Sequence, residues 1–326
     1  MNQKKDIYCD LDFWQSLSSR FENVRMTTDL NELRQNQNLL DWYGLFSRSH
    51  LLFDCALSDF ENAAIEDQYL RTAWKQSTDG RWQIDFAPGA MASMCAGPSQ
   101  MDAKMYHSLY LSKENRATNA SNVGVINVYS EGVLEHTELF NDNGPSIKRE
   151  TRNNWAEILK TARAKQNCNS MVIADNYIFQ DVNANLYRIL DALLPHKLET
   201  VFYLTVFSLN EISDAELDKK KQQLEKRIQE MRPNLAVNTE VFSCTKDYFH
   251  DRGIITNYQW IEIGAGFNIF KNDGTAKKTT NVHVSYPMII PEDRMRCSRD
   301  GYLNIIDDAK SCLRIRNKRS NNRLLR

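Results

Sequence analysis

Residues 248–270 read YFHDRGIITNYQWIEIGAGFNIF and hold the densest group of chemically able side chains in the sequence. His250, Asp251 and Arg252 are adjacent, Asn257 follows an apolar pair, and an aromatic strand and a GAG turn come next. In an extended segment from Phe249 to Ile255, His250 and Arg252 project from one face and Asp251 from the other. A histidine that is neutral near pH 7 can act as a nucleophile, an arginine can bind phosphate bidentately, and an asparagine keeps hydrogen-bonding capacity. His250, Arg252 and Asn257 are therefore the residues of a candidate site, and Lys277 and Lys278 are candidate phosphate ligands near the same edge. The structural alternative pairs His250 and Arg252 with Asp251, Asp175 or Tyr177 to lock a sheet end.

Two further groups have charge without such a motif. Asp10 and Asp12 lie in IYCDLDFW, an expected strand from Ile7 to Trp14 on which both would share a face. Asp54, Asp59, Glu61, Glu66 and Asp67 lie around a helical pattern at 60–74. Read by themselves, these acids suit solvated helix faces. The basic group is Lys310, Arg314, Arg316, Lys318, Arg319, Arg323 and Arg326, with no acid after Asp308. Arg314, Arg316, Lys318 and Arg319 are candidate phosphate ligands there, with salt-dependent affinity for nucleic acid or an anionic surface. Few aromatics interleave the run, so base stacking is not expected. The alternative is a frayed, solvated terminus.

The elements that must position these groups follow from periodicity and turn residues. Buried strands are expected at 107–112 and 123–129, and Leu139–Arg149, with its Asn-Asp-Asn-Gly-Pro cluster, is the clearest linker. Beyond it, apolar runs at 170–175, 200–208 and 236–243 alternate with helical patterns at 153–166, 182–194 and 213–231. Ser213 followed by Glu216 forms a capping box for the last helix. Strand–helix–strand order predicts a parallel core with right-handed crossovers, and residues 248–270 come just past its third strand, where α/β folds place sites. The expected organisation is two α/β domains, 1–141 and 146–326. The 326 residues carry 41 Lys+Arg against 42 Asp+Glu, so total charge favours no polyanionic partner and only local patches can. The apolar runs are too short for a transmembrane segment, and no signal peptide is read. Seven cysteines without a CxxC pair point to reduced thiols and a cytoplasmic location.

Two resemblances add to this reading. The acid ending the first strand, the acids on a central helix and the Asn122–Val128 step resemble a PIN-like nuclease domain over residues 5–140. That implies divalent metal, Mg²⁺ or Mn²⁺, held by carboxylates at Asp10, Asp54, Asp59 and Glu61 at the carboxyl edge of the sheet, although Ser112, Lys113 and Glu114 stand where that family has an aspartate. His-x-Arg-x4-Asn at 250–257 resembles the His-x-Lys-x4-Asp signature of the phospholipase D superfamily, which implies His250, Arg252 and Asn257 as the catalytic set for phosphodiester chemistry, with His250 attacking phosphorus, Arg252 holding phosphoryl oxygens and Asn257 as the orienter. HDR, Trp260 and IEIGAGFNIF, with Asp175, Asn176 and Tyr177 ending an earlier strand, look like the phospholipase-D-like domain that follows microtubule-interacting-and-transport modules and its bacterial relatives. Ala265 replaces an arginine of that pattern, and one His-x-Arg motif implies a homo-oligomer wherever catalysis needs two. The resulting expectation is a prokaryotic defence or mobile-element protein that engages nucleic-acid phosphate, with protein partners of a defence complex. It would be a nuclease subunit, a non-catalytic phosphate or phospholipid module, or a structural subunit of a larger assembly.

Overall fold

The computed structural model describes residues 6–21, 29–90, 108–114, 116–131, 139–140, 144–210, 212–244, 249, 251–287, 289 and 292–326. The chain divides into two units, Met1–Phe140 with Ile289–Pro291, and Asn141–Met288 with Glu292–Arg326.

In the amino unit the elements run β1 (Asp6–Cys9), α1 (Leu11–Phe21), α2 (Leu30–Arg48), β2 (His50–Phe53), α3 (Leu57–Glu66), α4 (Gln68–Thr78), β3 (Gln83–Phe86), β4 (Leu109–Ser112), α5 (Ala117–Val123) and β5 (Ile126–Tyr129). All strand pairs are parallel, in the order β3-β2-β1-β4-β5. The order reverses between β1 and β4, the crevice where open α/β sheets take ligands. The expected strand from Ile7 to Trp14 is half helix. Asp10 Oδ1 accepts from Phe13 N at 2.5 Å, and this cap starts α1. Asp12 therefore lies in the first turn of α1 and shares no strand face with Asp10. Phe13 and Trp14 are buried on the helix instead, and Trp14 packs against Phe46, Phe53 and Trp82. Toward the opposite sheet edge His50 bridges Asp6 and Asp85, each at 2.8 Å, and ties the first three strands together.

The carboxyl unit continues with β6 (Ser146–Ile147), α6 (Trp155–Thr161), β7 (Ser170–Asp175), α7 (Leu186–Leu193), β8 (Phe202–Ser208), α8 (Asp214–Met231), β9 (Val237–Ser243), β10 (Gly253–Thr256), β11 (Trp260–Ile263), β12 (Thr280–Ser285), α9 (Glu292–Ile315) and a 3-10 turn at Arg323–Leu325. The sheet order is β6-β12-β11-β10-β7-β8-β9. β7, β8 and β9 are parallel, as their apolar runs predict, and β7 is buried at all six positions. β10, β11, β12 and β6 continue the sheet antiparallel. Ser213 caps α8 through Glu216 N, as its spacing predicts. The chief apolar core packs α6, α7 and α8 against this sheet. Trp260 marks where α9 meets the sheet, because a Cβ on Gly301 would come within 2.3 Å of its indole and one on Gly253 within 2.6 Å. A helix-interior glycine costs roughly 1 kcal/mol against alanine, and here it makes the room the tryptophan takes.

Candidate functional site

The site is built on the last residue of β7. Asp175 is completely buried, and its carboxylate is caught from two sides. Tyr177 N donates to Oδ1 at 2.7 Å, the local turn an aspartate forms with its own backbone two residues on. Phe267 N donates to Oδ2 at 3.1 Å across the sheet. The 264–267 loop reaches this carboxylate because Gly266 has φ +75°, and a Cβ there would lie 2.5 Å from Oδ2. The second glycine of the GAG turn thus closes a loop on a carboxylate.

β10 delivers the first cation. Gly253 pairs with Ala174, so Arg252 arrives beside Asp175. Its Nη2 donates to Gly264 O at 3.4 Å. Lys278 Nζ donates to Ala265 O at 2.9 Å. Burial pushes the Asp175 carboxyl up, and the two amides, Arg252 and Lys278 pull it back. Lys277 is committed to one side, 2.6 Å from Asp181 Oδ2 and 2.5 Å from Asn268 Oδ1. Asp251 faces away from Arg252, as alternation requires, and accepts from Asn304 Nδ2 at 3.2 Å. His250 lies outside the described residues.

Asn257 does not join this edge. β10 runs antiparallel to β7, so Arg252 starts the strand at the carboxyl end of β7 and Asn257 leaves it at the amino end. There Asn257 is fully buried, accepts from Asn169 N and Ser170 N at 3.0 Å each, and donates to Asn169 Oδ1 at 2.8 Å. Its work is to hold the start of β7. Four strand residues separate the parts of the motif, so linear spacing does not bring them to one place.

The acids of the amino unit divide. Asp10 and Asp54 reach the carboxyl edge of that sheet. Asp10 Oδ2 accepts from Lys113 N at 2.9 Å, and Asp54 Oδ1 accepts from Ala90 N at 3.0 Å. Both face Tyr110, whose hydroxyl lies 3.5 Å from Asp54 and is pushed up by burial and then by the charges of Asp54 and Asp10. Burial also raises the Asp10 carboxyl, against the amides of Lys113 and Phe13. Asp59 and Glu61 are exposed on α3, whose buried face carries Phe60 and Ala64. Among the described residues no group of three or more His, Cys, Asp or Glu could hold a metal ion. The four carboxylates expected to bind Mg²⁺ or Mn²⁺ do not assemble because two of them follow the solvent side of a helix.

The basic tail is not frayed. α9 ends in a Schellman turn, with Asn317 at φ 51°, Lys318 N bonded to Leu313 O and Asn317 N to Arg314 O. The chain then docks on the sheet. Glu240 accepts from Ser320 Oγ and from Asn321 N, and Asn322 Nδ2 reaches Met171 O at 2.9 Å and Thr205 Oγ1 at 3.1 Å. Leu324 and Leu325 are buried, while Arg314, Arg316, Lys318 and Arg319 are exposed.

Two organising residues escaped the sequence reading. Asn185, buried before α7, accepts from Trp155 Nε1, Ile269 N and Phe270 N and donates to Phe270 O, which fixes the chain after the 264–267 loop. Asn322 fixes the tail. Both are asparagines in polar surroundings, and only a long-range contact distinguishes them from loop residues.

No curated protein matches the chain. Residues 154–286 match the model of the family described as the phospholipase D-like domain at the C-terminus of MIT. That stretch runs from the cap of α6 past the end of β12 and contains Asp175, Arg252, Gly266, Lys277 and Lys278, so the carboxyl half carries a phospholipase D-like domain built around this edge.

Proposed function

We propose that the carboxyl unit engages the phosphate of a nucleic-acid backbone at the carboxyl end of β7. The observation that carries this reading is the convergence of Arg252 and Lys278 on the loop held by buried Asp175, inside the stretch that matches the phospholipase D-like family. A guanidinium offers a planar pair of donors to phosphoryl oxygens, and an ammonium adds a mobile point charge. Asp175 has both oxygens engaged by backbone amides, so its role is to place the loop and its cations. His250, two residues before Arg252, is the nucleophile of the enzymatic version. The test is incubation of the full chain with labelled DNA and RNA, with and without Mn²⁺, beside Arg252→Ala/Lys278→Ala and His250→Ala. Binding that falls about tenfold in the first variant, with strands intact, supports a binding module. Cleavage that His250→Ala abolishes supports a nuclease. Binding unchanged in both variants sinks the reading.

A second reading concerns the amino unit. Its strand order, with Asp10 and Asp54 at the carboxyl edge beside the switch point, supports a PIN-like domain. A metal-dependent step there would draw on Asp10 and Asp54, since Asp59 and Glu61 stay on the solvent side of α3. Mn²⁺-stimulated cleavage abolished by Asp10→Asn would restore that chemistry. Service in a defence or mobile-element system, with protein partners in the cytoplasm and as a homo-oligomer, extends these readings. No helix among the described residues is long and apolar enough to cross a membrane.

A further inference from the structure

We infer that the cavity where α9 turns into the docked tail is a separate binding site for a compact anion carrying several clustered phosphate groups. The cavity has a volume of about 530 Å³ and is lined by Lys310, Arg314, Lys318, Arg319 and Arg326, above Leu313 and Leu325. Its volume falls within the roughly 300–1,000 Å³ usual for small-ligand sites. Among the described residues no Asp or Glu side chain lines it. Among the described residues none of the five cationic side chains forms an ion pair or side-chain hydrogen bond.

Three observations turn a basic tail into a site. The cations are held, because the Schellman turn and the Glu240 and Asn322 contacts fix the backbone on both sides of Lys318 and Arg319. They exceed what the helix end can use, since a helix C-terminus carries the equivalent of roughly half a negative charge and five cations meet here. The floor is apolar, with Leu313 and Leu325 both buried, which strengthens each charge–charge interaction above it.

The arrangement also selects the shape of the ligand. A nucleic-acid strand needs a track of cations along its backbone and gains from aromatic platforms. Here the cations converge on one concavity, no aromatic side chain lines it among the described residues, and nearby Tyr203 is covered by Arg323 at 5.0 Å. The site also lies away from the edge at Asp175. Its anchor reaches Met171 and Tyr203, near the starts of β7 and β8, whereas Asp175 ends β7.

The experiment is calorimetric titration of the full chain with inorganic tripolyphosphate, orthophosphate and a single-stranded oligonucleotide. The variants are Arg314→Glu/Arg319→Glu, Arg314→Gln/Arg319→Gln and Arg252→Ala/Lys278→Ala. The expected result is saturable tripolyphosphate binding, at least tenfold tighter than orthophosphate. It weakens at least tenfold in the Glu variant and less in the Gln variant, and saturable tripolyphosphate binding that the tail variants weaken persists in Arg252→Ala/Lys278→Ala. The Gln variant serves if charge reversal perturbs folding. Absence of saturable binding, binding indifferent to both tail variants, or preference for the oligonucleotide at equal phosphate concentration would overturn the inference. Loss only in Arg252→Ala/Lys278→Ala would assign the anion to the β7 edge and overturn it equally.

Discussion

Asp10 and Asp175 are the same device in two settings. Each is an aspartate at the carboxyl end of a central parallel strand, and each is held by one amide two or three residues on and one from a distant element. Burial raises both carboxyls. The settings differ in what the second amide belongs to. For Asp10 it is Lys113, at the exposed end of the neighbouring strand, and the lysine side chain itself reaches Asp12 at 3.4 Å. For Asp175 it is buried Phe267, on a loop that brings Arg252 and Lys278 with it. A strand-end acid caps a helix in one unit and organises a cationic rim in the other. Position at the carboxyl edge therefore marks where a site can be, and the loop that closes over the acid decides its charge.

The sharpest test of this contrast is to delete each acid. Asp175→Ala orphans two amides, one of them buried, at roughly 1–3 kcal/mol each, so a loss of about 2–4 kcal/mol is expected in urea unfolding of the carboxyl unit. Asp10→Ala should cost about 1 kcal/mol, the usual worth of a helix cap, since water can reach the amide of Lys113. Equal losses would end the distinction. Gly266→Ala comes next, at about 1–2 kcal/mol for a non-glycine residue in the left-handed region, and more if Asp175 cannot yield to the new Cβ. It should also weaken phosphate binding, because it pushes at the loop that places the cations. The smallest effect is on pH dependence. A carboxyl raised in the folded state contributes stability that is fully present below its ordinary value of 3.8 and is lost as pH rises through the folded value. Wild type should therefore lose stability relative to Asp175→Asn as pH rises above 3.8. A difference that stays flat between pH 3 and 7 would show that the amides and cations fully offset burial.

The parallel strands were legible because β7 and β8 are continuous apolar runs bounded by turns, and the cap at Ser213 was legible because it is local. What local pattern could not show was direction. Residues 248–263 look like one extended site segment, yet β10 turns against β7 and carries Arg252 and Asn257 to opposite ends. Asp12 falls on a helix where a strand is expected for a related reason, since aromatic and apolar residues in IYCDLDFW suit a buried strand and a buried helix face alike. The charges of the tail were countable, but their convergence depends on Asn322, whose partners lie 117 and 151 positions earlier in the chain.

The docking of that asparagine separates inheritance from cooperativity. The stretch that matches the family model closes at residue 286, but the apolar turn at 323–325 packs against β7, and one amide group bonds to atoms of both β7 and β8. A fragment trimmed to the matched boundaries would keep every residue of the cationic rim and expose the sheet face that Leu324 and Leu325 cover. The segment that matches the family model is thus shorter than the segment that must fold together, and Asn322 acts as a splint for strands whose bonded atoms lie 117 to 151 positions before it.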